Sequence, residues 1–214
     1  MADDESGLTA PERRELMDLG AATLGESGAA GLSARIRPMW PGAAFAGPAM
    51  TASCADGDNL ALHAALAAAA PGVVLAAAFA GDTVRGNWGD LMTTAAVAAG
   101  VAALVIDGEV RDVAAIEDAR FPVFARGIAL PGAAKAGPGA VQVPVMLGGV
   151  PVRPGDWLVG DADGVVVIAA GDLDRVRAAA RRRAAAEAAY LTALRGGATT
   201  VDVLGLDVRS IAGA

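Results

Sequence analysis

The chain has 214 residues, 54% of them hydrophobic and 19% charged, enough to bury one sizeable core and within the range of a single domain, residues 1–214. A formal net charge of −7 supplies no cationic field to neutralise a phosphate backbone, which excludes nucleic acid as a direct ligand. Cys54 is the single cysteine, so no internal disulfide exists, and the start through Asp3, Asp4 and Glu5 lacks the basic-then-apolar order of a secretory signal; both fit a cytoplasmic protein.

In chain order, residues 10–31 have helical composition, with Leu16, Leu19, Thr23 and Leu24 approximating one apolar face and an end expected near Gly28. A strand over 49–53 leads into Asp56, Gly57, Asp58 and Asn59, which read as a turn and N-cap for a helix over 60–69 that Pro71 and Gly72 stop. The longest apolar stretch, 64–80, is split by that Pro-Gly pair and is mostly alanine, so it predicts a buried helix followed by a buried strand over 73–80, and no membrane span. A second helix is expected over 88–99, then a strand over 102–106, a loop over 107–111, a short helix over 112–119 and a strand over 122–125. This alternation argues for βαβ units and parallel pairing.

Beyond Ala140 the signals change. Strands over 141–147, 150–153, 157–160 and 164–168 alternate with Gly-Gly, Pro-Gly-Asp and Asp-Ala-Asp-Gly turns, which predicts antiparallel hairpins. Asp172 caps a long helix to about Arg195, ended by Gly196 and Gly197, and a short strand-like tail follows.

Several chemistries are absent from the sequence: no GxxxxGK[ST], no GxGxxG, no CxxC and no HExxH. His63, the only histidine, sits in an apolar helix and reads as structural, which argues against a histidine-rich zinc site or a Ser-His-Asp triad. Lys135, the only lysine, lies in a Gly/Pro loop expected to be wet, unsuited to a Schiff base that needs a desolvated amine.

The informative segment is Val105-Ile106-Asp107-Gly108-Glu109-Val110-Arg111-Asp112, where three acids and an arginine crowd the C-terminal end of a buried strand, the end at which open α/β sheets bind ligands. There Asp112 can hold a hard divalent cation and Arg111 can offer forked donors to a carboxylate or oxyanion; the alternative is that Asp112 caps a helix and Arg111 makes a surface ion pair. The second segment, Gly86-Asn87-Trp88-Gly89-Asp90-Leu91-Met92, is a glycine-bearing loop entering a helix. It is either an anion site built from free backbone N–H groups or an ordinary helix start.

Asp58-Asn59-Leu60-Ala61-Leu62-His63, Trp88-Gly89-Asp90-Leu91, Asp107-Gly108-Glu109-Val110-Arg111-Asp112, Phe121-Pro122-Val123-Phe124-Ala125-Arg126-Gly127, Pro154-Gly155-Asp156 and Asp161-Ala162-Asp163-Gly164-Val165-Val166 together resemble the 4-hydroxy-4-methyl-2-oxoglutarate aldolase family. That family also contains the regulator of ribonuclease activity A. The resemblance runs roughly over residues 45–194. It implies an α/β sandwich with a central mixed sheet flanked by helices, assembled as a homotrimer or hexamer.

The resemblance also implies retro-aldol cleavage of a small 2-keto acid to pyruvate, with oxaloacetate decarboxylation as a second activity, using magnesium or manganese. Carried over by motif, Asp112 ligates the metal largely through water, and Arg111 contacts the substrate and stabilises oxyanion character. The backbone of Gly89, Asp90, Leu91 and Met92 grips the pyruvyl carboxylate, and Asn59 helps line the pocket. Asp90 holds a metal-bound water, and Glu187 approaches from a neighbouring subunit; its bland alternative is an ion pair with Arg183 one turn earlier.

Two departures from the family pattern, Thr23-Leu24-Gly25-Glu26-Ser27 and Leu147-Gly148-Gly149, are expected to bear on the pocket wall and the substrate side group. The rival function is a non-catalytic regulator that binds and inhibits an RNA-degrading endonuclease. Methyl transfer, a third label carried by relatives, lacks a glycine-rich nucleotide loop here.

Overall fold

The computed structural model of the chain describes residues 8–211. α1 (Ala10–Gly25) starts with Pro11 in its first turn, and the Glu12 carboxylate accepts from both the backbone N–H and the hydroxyl of Thr9 at 2.9 Å. Gly20, at φ 78° and ψ 156°, interrupts the helix, and the Asp161 carboxylate accepts the N–H of Ala21 at 2.7 Å just past the break. The helix ends at Gly25, a little before the expected end near Gly28, and Ala30–Gly31 forms a two-residue strand, β1.

β2 (Arg37–Pro38) precedes β3 (Phe45–Cys54), which is twice the predicted length because it serves two sets of partners. Then follow α2 (Leu60–Ala67), β4 (Val74–Phe79), α3 (Asp90–Ala98), β5 (Ala103–Ile106), β6 (Glu109–Val110), α4 (Val113–Asp118), β7 (Val123–Ala125) and β8 (Gly127–Ile128). As the alternation predicted, β3, β4, β5 and β7 are parallel neighbours. The expected strand over 141–147 is two: β9 (Gly139–Val141) and β10 (Val145–Leu147). Gln142, at φ 55°, and Pro144 break it, so β9 joins β3 while β10 pairs with β11 (Val150–Val152).

β12 (Trp157–Asp161) and β13 (Gly164–Ile168) form the expected hairpin. β12 pairs antiparallel with residues 45–48 of β3, whereas 49–54 of β3 pair with β4. The main sheet therefore runs β1-β13-β12-β3-β4-β5-β7-β2, parallel in the middle and antiparallel at both flanks.

α5 (Leu173–Arg195) is the long C-terminal helix. After it comes a helix, α6 (Thr200–Leu204), where a strand-like tail was expected: Thr199 and Asp202 cap each other through backbone and side chain, a local signal that outweighs the β-branched composition.

Alternation on the β12–β13 hairpin separates two apolar clusters. Trp157, Val159, Val166 and Ile168 pack with α1 and α5, while Leu158, Val165 and Val167 face the larger cluster that also takes α2, α3 and α4. No helix among the described residues is long and apolar enough to cross a membrane.

Candidate active site

β4 and β5 run parallel, so their C-terminal ends open at the same sheet edge and the connections that leave them are neighbours. Backbone bonds lace these connections together. The N–H of Asn87 donates to the carbonyl of Glu109 at 2.9 Å, and that of Arg111 to the carbonyl of Trp88 at 2.8 Å. The Trp88 ring, 1% exposed, stacks on Phe121 and donates its indole N–H to Thr93 Oγ1 at 2.7 Å. A buried indole thus fastens the loop and sets the N-terminus of α3 beside Arg111 and Asp112.

Asp112 stands at the N-cap position of α4, yet its side chain makes no capping hydrogen bond to that helix. Its backbone is left-handed at φ 57° and ψ 39°, a conformation aspartate tolerates at some cost and one that clusters at functional sites. The carboxylate instead accepts the N–H of Asp90 at 3.1 Å and lies 3.6 Å from Nε of Arg111, both side chains being about half exposed. Glycines make room for the pair. A Cβ at Gly86 would sit 3.1 Å from Cδ of Arg111, one at Gly132 would meet its guanidinium at 3.3 Å, and one at Gly89 would collide with the carboxylate of Asp112.

The other two acids of the motif serve a different purpose. Asp107 and Glu109 turn to Arg126, with Nε–O distances of 3.6 and 3.5 Å, and Asp107 also accepts the N–H of Gly148 at 3.0 Å. Of the three acids crowded in sequence, only Asp112 faces the cleft.

That cleft, about 460 Å3, is lined by Gly89, Asp90, Leu91, Met92, Arg111, Asp112 and Asn59, so all these sequence-predicted residues are brought to one place. Thr93 is the first residue of α3 to bond back, to the carbonyl of Gly89 at 3.0 Å, so the Leu91 and Met92 amides have no acceptor within the helix. Asn59 and Asn87 are 4% and 2% exposed; each uses its amide nitrogen on a backbone carbonyl, and each is left with a buried Oδ1 that has no partner.

His63 and Lys135 also line this cleft; Lys135 is exposed, as its Gly/Pro loop predicted, and His63 is partly buried. Their positions in the chain carry no spacing signal. What joins them is pairing between segment 131–137 and the turn at 57–59, including Asn59 N–H to Ala134 carbonyl at 3.0 Å. Burial, then the nearby Lys135 charge, lowers the pKa of His63, and its Nε2 is buried without a partner.

Glu187 stands outside the cleft of its own chain, on α5, where it pairs with Arg183 at 2.9 Å; Arg183 also pairs with Glu26. The two departures from the family pattern lie elsewhere too. Thr23 is on α1 and Leu147 is fully buried in the larger core cluster, so neither lines the cleft of this chain.

The divalent cation that the resemblance implies fits these residues. Among the described residues no three His, Cys, Asp or Glu side chains gather into a metal cage. A half-exposed carboxylate, in a cleft also lined by two asparagines whose buried amide oxygens lack partners, suits a hard ion that keeps most of its water and is anchored by one carboxylate.

Comparison with known proteins bears on the same residues. Residues 15–167 match the family model described as RraA-like, Aldolase/RraA. A protein of Halalkalibacterium halodurans named "Putative 4-hydroxy-4-methyl-2-oxoglutarate aldolase" is 40% identical over 158 residues, covering 74% of this chain and 75% of its own. An uncharacterized protein from Pseudomonas syringae pv. tomato has a similar solved structure, with a TM-score of 0.79 and 27% identity over 94% of this chain and 97% of that one. The RNA-processing inhibitor RraA from Thermus thermophilis gives a TM-score of 0.62 and 27% identity, over 73% and 91%. The matched span contains every cleft residue named above and stops short of Glu187.

Proposed function

The chain belongs to the RraA-like (Aldolase/RraA) family, and from that premise we propose that it is a divalent-metal-dependent aldolase. Its substrate is 4-hydroxy-4-methyl-2-oxoglutarate or a related 4-carboxy-4-hydroxy-2-keto acid, cleaved to pyruvate, with oxaloacetate decarboxylation as a second activity. The observation that carries this reading is the convergence of the Arg111–Asp112 pair and the N-terminus of α3 on one cleft.

Asp112 would hold magnesium or manganese, with Asn59 and Asn87 offering their unpartnered oxygens to its water shell. When bound, the ion supplies a Lewis acid beside the keto group. The Leu91 and Met92 amides, at the positive end of α3, bind the pyruvyl carboxylate and fix the keto carbon next to Arg111. As the C3–C4 bond breaks, its electron pair passes toward the keto oxygen, and the Arg111 guanidinium donates to the developing oxyanion. Asp90, exposed at the cleft rim, accepts the C4 hydroxyl proton through a water and returns a proton to C3. In a homotrimer or hexamer, Glu187 of a neighbouring protomer joins Asp90 in that transfer.

The test is pyruvate release from 4-hydroxy-4-methyl-2-oxoglutarate and from oxaloacetate, with magnesium, with manganese and with chelator, for wild type and Asp112→Ala. Metal-dependent turnover that the variant loses supports the enzyme. Absence of turnover on both substrates would leave the regulator reading, in which the protein inhibits an RNA-degrading endonuclease as a binding partner.

A further inference from the structure

We infer that Lys135 and His63 form a second anion-binding end of the cleft, which recognises the carboxylate that the substrate carries on C4. This rests on the 2-keto acid reading and extends it to the part of the substrate that Arg111, Asp112 and the α3 amides do not address.

The first support is the way Lys135 is held. A lysine in a Gly/Pro loop would ordinarily wander, but segment 131–137 is fastened on two sides. The N–H of Gly86 donates to the carbonyl of Pro131 at 2.8 Å, and Ala134 exchanges backbone bonds with Gly57 and Asn59 at 2.9 and 3.0 Å. Asp58, 4% exposed, then accepts from the amides of Ala136 and Gly137 at 2.6 and 2.7 Å while accepting that of Leu60 at 2.8 Å. One buried carboxylate therefore ties the segment bearing Lys135 to the first turn of the helix bearing His63. Those three amides hold the Asp58 carboxyl below its ordinary range.

The second support is what these side chains leave unmet. Asp58 is committed to backbone donors. Lys135 makes its hydrogen bond, 3.2 Å, to the neutral carbonyl of Ala133 and has no ion pair among the described residues. His63 lines the same cleft, and its Nε2 is buried with no partner. A buried polar atom without a partner calls for a ligand or water. Burial and the Lys135 charge both disfavour a second positive charge on the imidazole, so His63 acts as a neutral N–H donor in its Nε2-protonated tautomer and Lys135 supplies the charge.

The chain is acidic overall and Lys135 is its only lysine. An ammonium and a neutral N–H donor in a pocket that also holds a backbone anion site and a guanidinium describe a site for a substrate with two carboxylates. In the cleavage proposed above, the C4 carboxylate remains intact and leaves with the second product, so these two residues bind and orient it and take no part in bond breaking.

The test uses two ligands that differ only in that group. 2-Oxoglutarate carries both carboxylates and no C4 hydroxyl, so it cannot be cleaved; 2-oxopentanoate has a methyl group in place of the distal carboxylate. Calorimetric titration with magnesium present is expected to show wild type binding 2-oxoglutarate about tenfold more tightly. Lys135→Ala should bring the ratio near one while leaving the 2-oxopentanoate affinity unchanged, Lys135→Arg should keep most of it, and His63→Ala should narrow it.

A wild-type ratio near one, a ratio that Lys135→Ala does not change, or no binding of either ligand overturns the inference. Pyruvate release from 4-hydroxy-4-methyl-2-oxoglutarate, measured in parallel, separates the two claims: cleavage with an unresponsive ratio sinks the subsite alone, and the expected ratios without cleavage sink the aldolase reading alone.

Discussion

Gly89→Ala places one methyl group between the two halves of the proposed centre. Gly89 has extended backbone, φ −165°, which alanine adopts freely, so the effect is steric. The new Cβ would lie 3.1 Å from Cγ and 3.3 Å from Nε of Arg111 and would overlap the carboxylate of Asp112, closer than real Cβ contacts come. Relief requires the carboxylate to retreat by on the order of 1 Å, which breaks its 3.1 Å bond from the Asp90 amide and moves the proposed metal anchor. A displacement of that size costs about a hundredfold in kcat/KM when it misplaces reacting groups. Stability should fall by only about 1 kcal/mol, a Tm shift of a few degrees, because both displaced side chains are half exposed and can yield. Pyruvate release, followed by coupled reduction to lactate, gives the first number, and thermal melting by circular dichroism gives the second. A folded variant with wild-type kcat/KM would refute the placement of Asp112 and the α3 N-terminus in one centre. Gly31→Ala, where an added Cβ meets nothing within 4 Å, serves as the neutral control.

Acid stability should depend on Glu15. Hydrogen bonds from Arg181 and then Arg177 lower its carboxyl from 4.5 to about 2, so its stabilising contribution is complete above pH ~4.5 and is lost as pH falls from there through about 2. Glu15→Gln should cost about 1–2 kcal/mol at neutral pH, a figure reduced for its partial exposure, and the difference from wild type should shrink toward pH 2; urea midpoints at pH 7 and 3 measure this, and parallel pH profiles would contradict it. Thr93→Val keeps the side-chain shape but removes the acceptor of the buried Trp88 N–H, so denaturant unfolding should show a loss of ~1–3 kcal/mol. Wild-type stability there would mean that the indole does not depend on Thr93.

By itself the sequence determined whatever rests on near neighbours in the chain. Helix and strand alternation, the stop at Pro71-Gly72 and the late hairpins are written in short-range patterns and lie largely where expected, whereas Glu109–Val110, expected in a loop, pairs with β8 as the short strand β6. The family motifs added the roles proposed for Arg111 and Asp112. Only the tertiary structure decided matters that depend on partners far along the chain. β3 changes neighbours midway because β12 returns to its first half, and no property of residues 45–54 announces that. Asp107, Glu109 and Asp112 look alike in sequence, but Arg126 claims the first two, while the left-handed backbone at Asp112 turns the third toward the cleft. His63 and Lys135 lie far apart in the chain with no pattern linking them, and it is Asp58 and the 57–59 pairing that bring them to one pocket. Local propensity records the preferences of a few successive residues, whereas the direction of a side chain is set by the long-range contacts that close around it.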